Sequence, residues 1–265
     1  RSLSSPYRSH YQLPLNKKVE GISPYRTEPM YDNAIRLAKT AGFNNFNIDL
    51  MHGLPQQNLA QALEDIDCAL SFNPNHLSWY QLTIEPNTAF YRQPPTLPDD
   101  DILWAIQEAG QAKLAQAGLA QYEVSAYSQK QPSQHNLNYW QFGDYLGIGA
   151  GAHGKVTTTE GIFRYRKTRL PKDYLAAAPQ QQVRLGLEKI ATEDLYFEFM
   201  MNALRLKNGV PVDYFSQRTG LAWADLLTKL QPAIDKNWIN LNNKQIKCTE
   251  LGFNYLNDVS SLFLT

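Results

Sequence analysis

Apolar letters recur at two periods along this chain, and each change of period marks an element. Met30, Ala34, Ile35 and Ala38 follow helical spacing and stop at Ala41-Gly42, where glycine accommodates a left-handed C-cap. In Phe43 to Leu50 the period drops to two: Phe46, Ile48 and Leu50 share one face, and Asn45, Asn47 and Asp49 the other, as in a strand. Leu59 to Phe72 returns to helical spacing through Leu63, Ile66, Ala69 and Leu70, and closes at Asn73-Pro74, where proline blocks continuation. Leu77 to Ile84 is the next expected strand. A helix from Asp100 to Ala117 follows Pro98-Asp99, with aspartates suited to its positive N-terminal end and Gly118 at its close. Ala120 to Ser125 and Tyr145 to Ile148 read as two further strands. Strand and helix in alternation predict parallel strands with covering helices, so this half is expected to be an α/β sheet or part of a barrel.

Beyond about Thr168 the pattern changes. Glu193 to Leu206 carries Leu195, Phe199, Ala203 and Leu206 on one face, and Trp223 to Asn237 and Leu251 to Phe263 are also helical. Asn240 to Cys248, with Asn242-Asn243 at its centre, predicts a two-stranded hairpin between the last two helices. Helix, helix, hairpin, helix suits a winged-helix-like unit. Three segments are expected: an irregular N-terminal stretch over residues 1–28, interrupted by Pro6, Pro14 and Pro24, then residues 29–167 and residues 168–265.

Composition narrows the function classes. The 265 residues are 43% hydrophobic and 19% charged, enough to bury a sizeable core. Lys+Arg 25 against Asp+Glu 25 leaves no net charge to draw the chain to a phosphate backbone, so nucleic acid is not an expected partner. No apolar run approaches the roughly 18 to 20 residues that span a bilayer, so stable membrane insertion is not expected and a cytoplasmic location is. The prolines spoil the amphipathic helix of a transit peptide, and the chain begins with Arg, so a cut or altered beginning is expected. Cys68 and Cys248 offer neither a disulfide framework nor a cysteine-built metal cage.

Asp49 is the first chemical candidate, because it lies at the C-terminal end of its strand, opposite the apolar face. In a barrel such a position lines the active-site mouth. The competing reading is an Asp that caps the loop from Met51 to Pro55. His135 to Trp140 places an imidazole, two amides and two large aromatics in six residues, a density suited to a flat apolar ligand whose metal the imidazole coordinates. The plainer reading is an aromatic loop packing over the barrel mouth. Gly147 to Gly154 resembles a dinucleotide fingerprint only superficially, because the β-like Val156 to Tyr165 follows where a helix is required. Small residues there still let backbone approach a ligand, and His153 beside them either touches that ligand or bonds to the loop. Asp99, Asp100 and Asp101 read as a helix start, and Cys68 as part of a buried stripe. No residue is assigned a catalytic or metal-binding role.

Asn47-Ile48-Asp49-Leu50-Met51-His52-Gly53-Leu54-Pro55 and Leu77-Ser78-Trp79-Tyr80-Gln81-Leu82-Thr83-Ile84-Glu85-Pro86 resemble the oxygen-independent coproporphyrinogen III oxidase family of radical SAM proteins. His135 to Trp140, as His-Asn-x-x-Tyr-Trp, and Gly147 to Gly154 resemble its HemW branch of heme chaperones. The resemblance runs from about Pro29 to the end. It implies a partial (β/α)6 barrel that binds S-adenosylmethionine and a 4Fe-4S cluster, followed by a HemN-type C-terminal domain. It places Asp49 at the SAM-contacting aspartate and makes His135 the heme-contact candidate, with hemoproteins as acceptors. Thr83 and His153 fall where the oxidase has an alanine and an isoleucine beside a second SAM site. That favours the chaperone branch over the alternatives, oxidative decarboxylation in porphyrin biosynthesis or a silent partner-binding module. The family's CxxxCxxC is absent, and its SAM-contacting arginine falls near Pro24, with Arg26 out of register. The expectation is a truncated or altered copy of a longer protein.

Overall fold

The computed structural model describes residues 12–13, 28–180, 184–242 and 244–264. The irregular stretch expected over residues 1–28, with Pro24 and Arg26, therefore lies outside the described residues except at Gln12, Leu13 and Glu28. The chain forms two compact units, Arg1–Pro132 and Ser133–Thr265. The boundary expected at residues 167 and 168 falls within the second.

The first unit runs β1 (Gln12–Leu13), α1 (Glu28–Thr40), β2 (Asn47–His52), α2 (Leu59–Ser71), β3 (His76–Gln81), α3 (Ala89–Arg92), α4 (Asp100–Gln116), β4 (Ala120–Glu123) and β5 (Ala126–Ser128). Its sheet has the order β1-β2-β3-β5-β4, with β1, β2 and β3 parallel. α2 begins in a reciprocal capping box: the Asn58 side chain accepts from Gln61 N–H while the Gln61 side chain accepts from Asn58 N–H, satisfying two end donors. Asp99 caps α4 by accepting from Ile102 N–H, as its position before the aspartate run predicts. One face of the sheet supplies Ile48, Leu50, Leu77, Trp79 and Tyr127 to a core completed by Ile35, Ala62, Ile66, Ala69, Ile106 and Leu114 from the helices.

One expectation is corrected here. The stretch Ala120 to Ser125 is not one parallel strand: it breaks after Glu123, and β5 runs antiparallel to both β4 and β3. Two residues, Val124 and Ser125, are too few for a parallel crossover and suffice only for a hairpin. The Glu123 carboxylate tightens that turn by accepting from Ser125 N–H, and the Gln121 amide donates to Val124 C=O.

The second unit contains α5 (Gln134–Trp140), β6 (His153–Thr158), β7 (Gly161–Lys167), α6 (Pro171–Ala177), β8 (Arg184–Lys189), α7 (Asp194–Ala203), β9 (Val210–Pro211), α8 (Asp213–Thr219), α9 (Trp223–Asp235), β10 (Ile239–Leu241), β11 (Gln245–Cys248), α10 (Glu250–Asn254) and α11 (Leu256–Ser261). β6, β7 and β8 form one antiparallel sheet, and β10, β11 and β9 another. The hairpin expected around Asn242 is β10–β11, and Val210–Pro211 adds a third strand to it. Phe199, Met200, Phe215, Leu226, Leu230, Ile246, Val259 and Phe263 are all buried. Leu251 to Phe263 is two short helices rather than one, broken at Tyr255, whose φ of −109° and ψ of 37° are not helical. Tyr145 to Ile148 is not a strand: only Tyr145 pairs, with Lys155, while Leu146 and Ile148 are exposed. Beyond Tyr145 this apolar alternation pairs with no strand among the described residues, which leaves it as exposed loop.

Candidate functional site

Asp49 stands on the sheet face opposite the apolar core. The parallel register sets Asn47 beside His76 and Asp49 beside Ser78, so two alternating strands project their polar positions together. These side chains are buried, as are Tyr122 and Glu123 from the edge hairpin. Asn47 Nδ2 donates to Asp49 Oδ1 at 2.6 Å, and Asn47 Oδ1 accepts from Ser78 Oγ at 3.2 Å. His76 Nδ1 is 2.5 Å from the same Asn47 oxygen, and its Nε2 is 2.7 Å from the Tyr122 hydroxyl. Asp49 is buried, and it belongs to a polar chain on a face where satisfied polar groups are arranged side by side.

Next to this face, His52 closes β2 on the core side, tilted against Trp79 with ring centroids 4.1 Å apart. Burial lowers its imidazole to about 4, keeping it neutral. The following loop is anchored by Gln57, which accepts from Leu54 N–H and donates to Asp65 on α2. Burial, reinforced by Glu64 and opposed by the Gln57 bond, raises the Asp65 carboxyl to about 7. Thr83 lies beyond β3 in an exposed loop and donates to Glu85.

In the second unit, His135 to Trp140 is not a loop. Ser133 caps α5 by accepting from Asn136 N–H, and the helix sets His135 and Tyr139 one turn apart with ring centroids 4.8 Å apart and planes at 77°. Tyr145, outside the motif, continues the stack at 4.4 Å from Tyr139. Burial, then the neighbouring Tyr145, raise the Tyr139 phenol above its ordinary value, so this wall is uncharged. His135 itself is exposed at the end of the stack.

The glycine-rich run has a packing role. A Cβ on Gly147 would meet the His153 carbonyl, and one on Gly154 the Tyr165 ring, while Gly147 N–H donates to the Tyr165 hydroxyl at 3.0 Å. His153 is exposed at the head of β6, opposite Arg166. Cys68 is half-buried rather than part of a buried stripe. The open grooves lined by Val212, Asp213 and Asn242 hold none of these candidates.

A carboxylate such as that of Asp49 offers acceptors of the kind that a nucleoside-bearing ligand's hydroxyl and amine donors need. An iron-sulfur cluster does not fit. Among the described residues no group of three or more Cys, His, Asp or Glu is placed to hold a metal, and the two cysteines lie on α2 and β11, in different units.

The HemN C-terminal domain family matches residues 190–254. Among curated proteins, the heme chaperone HemW of Haemophilus influenzae is 48% identical over 235 residues, covering 88% of this chain and 60% of that protein. The heme chaperone HemW of Escherichia coli is 47% identical over 233 residues, covering 87% and 61%. Among solved structures, Escherichia coli coproporphyrinogen III oxidase (HemN), described as a radical SAM enzyme, superposes with a TM-score of 0.69 at 18% identity, covering 90% of this chain and 59% of that one. The open α/β sheet is thus the expected partial barrel. The chain spans about three-fifths of the length of these relatives.

Proposed function

Because the chain belongs to the HemW-type family, we propose that its protein is a heme chaperone of radical SAM lineage, binding heme and delivering it to hemoprotein acceptors. The observation that carries the reading is the exposed His135 imidazole set edge-on to Tyr139, whose ring in turn meets Tyr145. Imidazole nitrogen is a common iron ligand, and flat aromatic rings offer a macrocycle apolar contact.

Asp49, backed by Asn47 and Ser78, is the proposed contact for S-adenosylmethionine, and Thr83 and His153 are secondary positions of the same proposal. S-adenosylmethionine brings a nucleoside rich in hydrogen-bond donors, which acceptors on the polar sheet face match. No radical step follows from these residues. Residues 29–167 form the barrel part of this reading and residues 168–265 the C-terminal part. A cytoplasmic location accords with the finding that no helix among the described residues is long and apolar enough to cross a membrane.

The test is spectroscopic. Heme added to the purified protein is expected to give a Soret band that weakens on His135→Ala; an unchanged spectrum removes His135 from the site. Anaerobic consumption of coproporphyrinogen would instead favour the oxidase, whose likeness to this chain at 18% identity extends to fold alone.

A further inference from the structure

The polar face of the first unit is more ordered than a single ligand contact requires. A carboxylate offers only acceptors, so the Asn47 amide must turn its nitrogen to Asp49 and its oxygen toward His76 and Ser78. An amide oxygen cannot donate. His76 Nδ1 therefore carries the proton, at 2.5 Å from that oxygen. A neutral ring would then accept at Nε2 from the Tyr122 hydroxyl, 2.7 Å away. Hydrogen bonds run in one direction from Tyr122 through His76 and Asn47 to Asp49. Three strands, β4, β3 and β2, are joined by side chains across residues that are buried throughout.

We infer that His76 is a positioning residue: through Asn47, and backed by Tyr122, it holds the Asp49 carboxylate in one orientation for a ligand that donates hydrogen bonds to it. The inference rests on the proposed contact between Asp49 and S-adenosylmethionine. The chain is cooperative, because each donor polarises the next and the two inner members, His76 and Asn47, are each held from both sides. Without it Asp49 loses its aim, and a ligand that needs two donors aligned on one carboxylate binds less tightly.

The experiment has two arms. Nitrogen-15 NMR of histidine in the protein is expected to show His76 as the neutral Nδ1–H tautomer; the Nε2–H tautomer or an imidazolium near neutral pH overturns the inference. In the second arm S-adenosylmethionine is titrated into four variants. His76→Leu and Tyr122→Phe are expected to weaken binding, roughly tenfold for the first and roughly threefold for the second. His76→Asn, which keeps a donor where Nδ1 stood, is expected to stay within about twofold of the parent. Asp49→Asn is expected to lose binding. If Asp49→Asn weakens binding while His76→Leu and Tyr122→Phe do not, the positioning role fails and the Asp49 contact stands. If Asp49→Asn binds as the parent does, the contact itself fails. Tyr122→Phe retains the ring, so its result stands even where His76→Leu perturbs folding.

Discussion

Gly110 is the floor on which Trp79 lies: a Cβ at position 110 would stand 1.9 Å from indole Cη2, well inside van der Waals contact. Trp79 is only 3% exposed and sits at the centre of the first unit's core, so it has no space to retreat. In an exposed helix, glycine to alanine adds up to about 1 kcal/mol of stability. Here overpacking outweighs that gain, and Gly110→Ala is expected to destabilise the unit by about 2 kcal/mol. Combining it with Trp79→Leu should recover part of the loss. Urea denaturation of the single and double variants measures both, and a stabilised Gly110→Ala would show that the indole moves freely.

Asp65 and His52 give the first unit opposed pH dependences. Folding raises Asp65 from 3.8 to about 7, so between those values the folded chain holds a proton that the unfolded chain has released; this contribution is lost as the pH rises through 7. Folding lowers His52 from 6.5 to about 4, so stability falls as the pH drops across that window. Asp65→Asn keeps an acceptor for Gln57 and removes the first dependence. It is expected to raise stability at pH 8 by about 1–3 kcal/mol and to change it little at pH 4. Denaturation midpoints at the two values decide it.

The buried Lys155 ammonium depends on Asp144, 3.1 Å away, and on the Phe142 carbonyl. Burial lowers the Lys155 amine, and Asp144 opposes that shift. For Asp144 burial acts upward but is outweighed by hydrogen bonds from Thr157 and Lys155, which leave it below its ordinary value. The stability it lends is therefore present above the unfolded carboxylate's pKa and is lost as the pH falls through the folded one. Asp144→Ala leaves an unpaired buried charge and should cost about 3 kcal/mol. Asp144→Ala with Lys155→Met should cost less than Asp144→Ala alone, read from thermal unfolding.

The two thiols should separate by reactivity. Burial pushes the Cys248 thiol up to about 12, leaving almost no thiolate at neutral pH. Cys68 is half-buried on α2. Alkylation of the native protein is expected to label Cys68 first and Cys248 only after denaturation, and mass spectrometry of the digest would show the order.

Where one strand or helix meets one core, the letters suffice. The alternation of Ile48 and Leu50 with Asn47 and Asp49 specified both faces of β2, because side-chain direction there follows strand period. The aspartates before Ile102 marked the start of α4 for a local reason, the unsatisfied end donors. α5 is hard to read from the letters because a seven-residue helix carries no apolar stripe, and only Ser133 signals its start. The partnership of His76 was not legible at all. Its partners stand 29 positions before it and 46 after it, and only strand register brings them together. The same holds for Tyr145, whose backbone pairs with Lys155 and whose ring meets Tyr139.

The register shift in β4 between Gln121 and Glu123 bears on how molecules of this protein meet one another. A straight outer strand would offer a ladder of unused amides to any passing chain. The irregularity twists that ladder, and the strand is only four residues long. Concentrated solutions should therefore resist fibril growth along this margin, and a variant lacking one residue of the irregularity should form thioflavin-positive material sooner.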